Sequence, residues 1–71
     1  MAKVYEFLAD GFEEIEALAV VDVLRRGGID IQTVSIMGRE WVETSHGVKV
    51  MADLMFEQAE LGDAASRWYA W

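Results

Sequence analysis

Residues 4 to 37 leave the backbone few choices. Val4 to Ala9 (VYEFLA) is rich in β-branched and aromatic side chains and stops at Asp10-Gly11, the pattern of a strand entering a turn. Helix signals follow at once. Asp10 is placed to act as N-cap, with Glu13 three residues on in a capping-box arrangement, and Glu13, Glu14 and Glu16 put negative charge at the positive end of the helix dipole. Arg25 and Arg26 fill the last turn, and Gly27-Gly28 supply a left-handed exit. The spacing predicts a helix over 12–26. Ile29 to Met37 (IDIQTVSIM) then reads as a second strand. Strand, helix and strand at these lengths form a right-handed βαβ unit with parallel strands, so the fold class is α/β.

The rest of the chain is punctuated more finely. Gly38-Arg39 precede two short strand-like pieces, 40–43 and 48–51, which Thr44-Ser45-His46-Gly47 join as a hairpin. Asp53 is expected to cap a short helix over 54–61, broken by Gly62-Asp63. The last residues, 64–71, show no period.

Composition excludes several functions. Across 71 residues there is no cysteine, so the chain itself offers no disulfide, no thiolate nucleophile and no Cys-based metal site. A single histidine rules out a multi-histidine metal site within one chain, and no metal or other cofactor is expected. The net charge of −7 argues against nucleic acid and anionic membrane surfaces as partners. No apolar run is long enough to span a bilayer. The opening Met1-Ala2-Lys3-Val4 runs straight into a strand and leaves no room for a leader peptide, so a cytoplasmic location is expected.

A helical wheel at about 100° per residue singles out one carboxylate. With Phe12 as origin, Glu16 falls between Phe12, Val20 and Val23, inside an apolar arc. Burying an ionised carboxylate costs several kcal/mol unless it is paired, so such a position suggests either a task or partial solvation as an N-terminal charge. Glu13 and Glu14 already have a structural role in capping and the dipole. Ile15, Leu18 and Ala19 form a second apolar arc away from Leu24. A helix lying on a sheet needs only one such face, so self-association is expected. His46 reads as an exposed turn residue. One glycine after Asp10 makes no phosphate loop, and the acidic run behind it repels phosphate. Met51, Leu54, Met55 and Phe56 read as core or interface residues.

The segment FLADGFEEIE (7–16), followed by VDVLRRGG (21–28), closely resembles the start of the ThiJ/PfpI superfamily, in the branch of the Parkinson-associated deglycase and bacterial homologues linked to thiazole biosynthesis. Val34-Ser35-Ile36, Ser45-His46-Gly47-Val48 and Ala52-Asp53 also fall where that family has strand, hairpin and loop, and the likeness covers about residues 3–63. The resemblance implies that the chain is the N-terminal βαβ plus hairpin of a flavodoxin-like three-layer sandwich. It implies chemistry of the glyoxalase, deglycase or amidase type, or stress chaperoning, through a nucleophilic cysteine well downstream. Glu16 would be the carboxylate that hydrogen-bonds that cysteine. Relatives of the close branch pair through the first helix, which would place Ile15, Arg26 and His46 at a dimer contact.

The departures are equally specific. Residues 1–63 follow the family, whereas 64–71 form an atypical aromatic tail where a D-x-L-V-L-P-G-G strand is expected, and Glu6 takes a strand position that is usually apolar. Three readings stand. The chain is a truncated or frameshifted family member, catalytically silent without its nucleophile. Alternatively it is a small non-catalytic module that oligomerises, by exchange of elements in one version, or binds a partner. The third is an enzyme using Glu16 as a general base without cysteine.

Overall fold

The structure is a computed structural model and describes residues 3–59 and 67–70. Its frame is the expected crossover. Strand β1 (Lys3–Leu8) leads through the Asp10-Gly11 turn into helix α1 (Glu14–Arg26), which returns to strand β2 (Asp30–Ser35). The two strands pair in parallel, with Lys3 beside Asp30 and Leu8 beside Ser35. The helix exit is also as read from the glycines: Gly28 takes φ 81°, and the Ile29 N–H reaches back to the Leu24 carbonyl at 2.9 Å.

Strands β3 (Trp41–Glu43) and β4 (Lys49–Met51) form the antiparallel hairpin, with Val42 opposite Val50. Strand β5 (Leu54–Met55) joins β2 and strand β6 (Arg67–Ala70) joins β1, both in parallel, giving the sheet order β5-β2-β1-β6. Successive strand residues point to opposite faces. Val4, Glu6 and Leu8 therefore share the face under α1, where two clusters form. Val4, Val21 and Ile31 pack together with Val20 and Leu24, and Leu8, Phe12, Ala17 and Val42 pack together with Val50. Glu6 lies between them, fully buried. On the opposite face Phe7 and Phe56 approach with ring centroids 6.0 Å apart, and Ile36 and Phe56 are exposed. That face is covered only in part: Tyr5 and Val34 are buried on it, while Ile36 and Phe56 at its margin stay exposed. No described helix is long and apolar enough to cross a membrane.

Three local expectations are corrected. Helix α1 begins at Glu14, not Phe12, and its N-cap is Glu13, whose carboxylate accepts the Ile15 N–H at 2.7 Å. Asp10 is not the cap. Gly11, at φ 94°, swings the chain so that Phe12 bridges to Thr44 and drops into the core, which takes both residues out of the helix.

Asp53 starts no α-helix over the described part of 54–61. Its carboxylate accepts the Thr33 N–H at 3.0 Å, the Thr33 hydroxyl at 3.2 Å and Arg25 at 2.7 Å, while its own N–H donates to Thr33 Oγ1 at 2.9 Å. These bonds hold the segment extended against β2, and only a 3-10 turn over Phe56–Gln58 follows.

The tail supplies a strand. Residues 67–70 satisfy the open backbone edge of β1, and Tyr69 stays exposed. The break at Gly62-Asp63, residues 64–66, the Trp68 side chain and Trp71 lie outside the described residues.

Candidate functional site at the start of α1

The site forms where the strand-to-helix turn meets the tip of the hairpin. Main-chain bonds fix the two together. Gly11 N–H donates to the Glu43 carbonyl at 2.8 Å, and Ser45 N–H donates to the Phe12 carbonyl at 2.9 Å. Asp10 reinforces the junction by accepting Arg39 on both oxygens at 2.6 Å and the Glu43 N–H at 3.1 Å. The guanidinium of Arg39 in turn stacks 4.0 Å from the centre of the Trp41 ring, with the Lys49 ammonium 5.0 Å from the same ring.

At the hairpin tip, Thr44 is buried and its hydroxyl donates to Glu14 Oε2. Thr44 Oγ1 in turn accepts the N–H groups of His46 at 3.2 Å and Val48 at 3.1 Å. His46 Nδ1 lies 2.5 Å from Glu14 Oε1, 3.2 Å from Ser45 Oγ and 3.8 Å from Glu13 Oε2. The Thr44 hydroxyl, then His46, hold the Glu14 carboxyl below its usual range, and the Glu14 hydrogen bond raises His46. Arg39, then the Glu43 N–H, lower Asp10.

Both lowered carboxylates carry the same sign for stability. Their folded-state affinity for protons is below that of the unfolded chain, so their contribution is present above the usual carboxylate range and is lost as pH falls through the folded value. An acid titration followed by circular dichroism is expected to unfold the wild type on that side, and Asp10→Asn is expected to flatten the acid limb. An unchanged acid limb in Asp10→Asn counts against the junction role of Asp10.

Two chemistries are excluded for this cluster by its geometry. A nucleophilic triad places serine and acid on different imidazole nitrogens. Here Ser45 and Glu14 meet the same one. The carboxylates and imidazole of Glu13, Glu14 and His46 do gather within 4.8 Å. However, Glu13 is spent on the helix cap, Glu14 on Thr44 and His46, and the positive end of α1 opposes a cation. The trio is an ion-pair cluster.

Glu16 sits in the first turn of α1 but outside the buried stripe. That stripe runs through Ala17 and Val21, with Val20 and Leu24 half-buried; Glu16 lies beyond its edge, next to the exposed Val23, and the carboxylate is exposed. The apolar arc around Glu16 had counted Phe12, which lies outside the helix, and the exposed Val23 among its members. Glu16 makes no hydrogen bond with the described residues. Ile15 is 75% exposed, and Val23 and Ala19 are exposed beside it. Ile15 and His46 occupy the N-terminal end of α1, while Arg26 pairs with Asp22 at 2.9 Å about 16 Å further along the helix. Sequence reasoning missed Thr44 as the hub and Arg39 as the tie to Asp10, because both act across about thirty residues of chain through a single bridge.

With this strand–turn–helix geometry in place, comparison with known proteins decides the family. The model of the DJ-1/PfpI family matches residues 2–66. The chain belongs to the DJ-1/PfpI family. It is similar to DJ-1 homolog B of Arabidopsis thaliana, 42% identical over 48 residues that make up 68% of this chain and 11% of the relative. It is also similar to the Parkinson disease protein 7 homolog of Danio rerio, 40% identical over 52 residues, 73% of this chain and 28% of the relative. Among solved structures, an alanine-for-cysteine mutant of a DJ-1 superfamily protein from Salmonella typhimurium superposes with TM-score 0.77 at 38% identity, over 82% of this chain and 31% of that one. Oxidised DJ-1 of Toxoplasma gondii gives the same TM-score and identity over 82% and 32%. The fold is therefore flavodoxin-like α/β, and the chain spans about a third or less of the relatives it matches.

Proposed function

We propose that this chain is the N-terminal part of a DJ-1/PfpI-type protein, supplying Glu16 as the carboxylate that supports a cysteine nucleophile lying outside these residues, and that alone it is catalytically silent. One observation carries this reading: a DJ-1/PfpI segment that keeps the GFEEIE turn contains no cysteine. The thiolate is the reactive species in such chemistry, and a nearby carboxylate sets its protonation and orientation. An exposed Glu16 on a rigid first turn is available for that task.

The activity class is glyoxalase, deglycase or amidase, so dicarbonyl consumption is the assay. The chain alone is expected to consume no methylglyoxal. A chimaera in which residues 3–59 replace the matching segment of the Danio rerio relative is expected to be active, and Glu16→Gln within it to lose about 100-fold in rate. Full activity of that variant, or Glu16-dependent activity of the chain alone, would overturn the reading.

A second reading, a non-catalytic oligomerising module, is favoured by a different observation. Ala19, Val20, Val23 and Leu24 line an open apolar groove of about 320 Å³ beside the exposed Ile15. Exposed apolar surface of this kind marks interaction sites. We place a contact between copies on this helix face, with Ile15 and His46 at one end and Arg26 at the other. Ile15→Glu is expected to shift the chain to monomer in analytical ultracentrifugation, and an unchanged distribution removes the contact.

A further inference from the structure

The hairpin tip meets α1 through two kinds of bond, which respond differently to pH. The main-chain bonds, Gly11 to Glu43 and Ser45 to Phe12, carry no titratable group. The side-chain bonds between the tip and α1 itself pass through the Glu14–His46 pair, while Asp10, before the helix, separately holds Arg39 and the Glu43 N–H. Glu14 grips both the Thr44 hydroxyl and the His46 ring, and Thr44 Oγ1 in turn organises the turn by accepting the His46 and Val48 N–H groups. The charged groups facing His46 are Glu14 at 2.5 Å and Glu13 at 3.8 Å from α1; on its own turn only the neutral Ser45 and Thr44 surround it.

Nδ1 sits within hydrogen-bond distance of one carboxylate oxygen, where the imidazolium donates a charge-assisted bond and a neutral Nδ1–H ring a weaker one. Without the imidazolium charge, a neutral ring remains between two carboxylates at the helix start. We propose that the tip over residues 46–48 is a proton-dependent latch, in which protonated His46 holds the tip against Glu14 and its deprotonation loosens the tip while Thr44, Ser45 and the rest of the hairpin stay attached. The raised His46 affinity for protons fixes the sign. The folded value lies above that of the unfolded chain, so the latch is fully engaged below the ordinary histidine range and is lost as pH rises through the folded value. Release also leaves one more net negative charge at the end of α1 that carries Ile15. The latch stands whether or not α1 pairs between copies.

The chain holds one histidine, so its proton NMR titration is unambiguous. In the wild type the His46 ring is expected to titrate above an ordinary histidine, with the amide signals of Ser45, Gly47 and Val48 following the same midpoint. In Glu14→Gln that midpoint is expected to fall toward the ordinary value and the amides to lose their response; in Glu13→Gln the change is smaller. Because Glu14→Gln also disturbs Thr44, His46→Gln provides a second arm. Its Val48 amide is expected to exchange with solvent about fivefold faster than in the protonated wild type, after correction for chemical exchange, as for loss of one net hydrogen bond. The Gly11 and Ser45 amides should keep their protection. An ordinary His46 midpoint in the wild type, flat amide shifts across it, or equal Val48 exchange in His46→Gln would overturn the latch.

Discussion

Leu8→Ala is expected to cost about 2–5 kcal/mol and to leave a large fraction of the chain unfolded at room temperature. Leu8 is completely buried at the point where three elements meet: Phe12 of the turn, Ala17 of α1 and Val42 of β3 pack around it. Removing its three terminal carbons opens a cavity among neighbours that cannot readily shift to fill it, because the Gly11–Glu43 and Ser45–Phe12 bonds fix the turn and hairpin in place. A chain of about 70 residues with one small core rarely has more than about 3–5 kcal/mol to lose. Urea denaturation followed by far-ultraviolet circular dichroism measures the change. Val23→Ala, on the exposed face of α1, is the control and is expected to stay within about 0.5 kcal/mol of wild type. If the two variants lose stability equally, the turn-and-hairpin cluster does not anchor the fold.

That cluster also shows how far the sequence could be read. The crossover was legible because its signals are local: β-branched runs for β1 and β2, arginines and glycines for the end of α1, a short polar turn for the hairpin. The helix start was legible in kind but not in position. Asp10 and Glu13 are both competent caps, and the choice between them was made by Phe12, which is drawn into a core built partly from Val42, thirty residues on. The same non-local competition explains Asp53. Its capping chemistry is real, but Thr33 and Arg25 of other elements claim the carboxylate first. Residues 67–70 have no period of their own, and the open edge of β1 makes them a strand.

The site divides along the same line. Glu16 was expected to lie in an apolar arc, but that arc counted Phe12, which is not helical, and the carboxylate is exposed. Of the second apolar arc, Ile15 and Ala19 are exposed and Leu18 is half-buried, since Leu18 lies nearer the stripe that faces the sheet. Glu14 and His46 looked like ordinary dipole and turn residues. Each is ordinary in its own segment, and only the Phe12–Thr44 bridge brings them together.

Glu6→Leu is expected to act in the opposite direction from Leu8→Ala, although the two residues are neighbours on one face of one strand. Glu6 is fully buried between the Val4–Val21–Ile31 cluster and the Leu8 cluster, beneath α1. Removing a carboxylate from water costs several kcal/mol, and the interactions that compensate it in an interior seldom exceed what a well-packed apolar side chain of similar volume provides. Arg67 lies on the same face of the adjacent strand and is exposed, so after the substitution it remains solvated and no buried charge is stranded. A gain of about 1–4 kcal/mol follows. In a chain of this size each kcal/mol raises the melting temperature by about 4–8 °C. Glu6→Gln tests the cause: it keeps the shape and removes the charge, but still buries an amide, so its gain should be smaller than that of leucine. A melting temperature for Glu6→Leu below that of wild type would mean that the carboxylate is itself a structural element of the sheet and that its burial serves the fold.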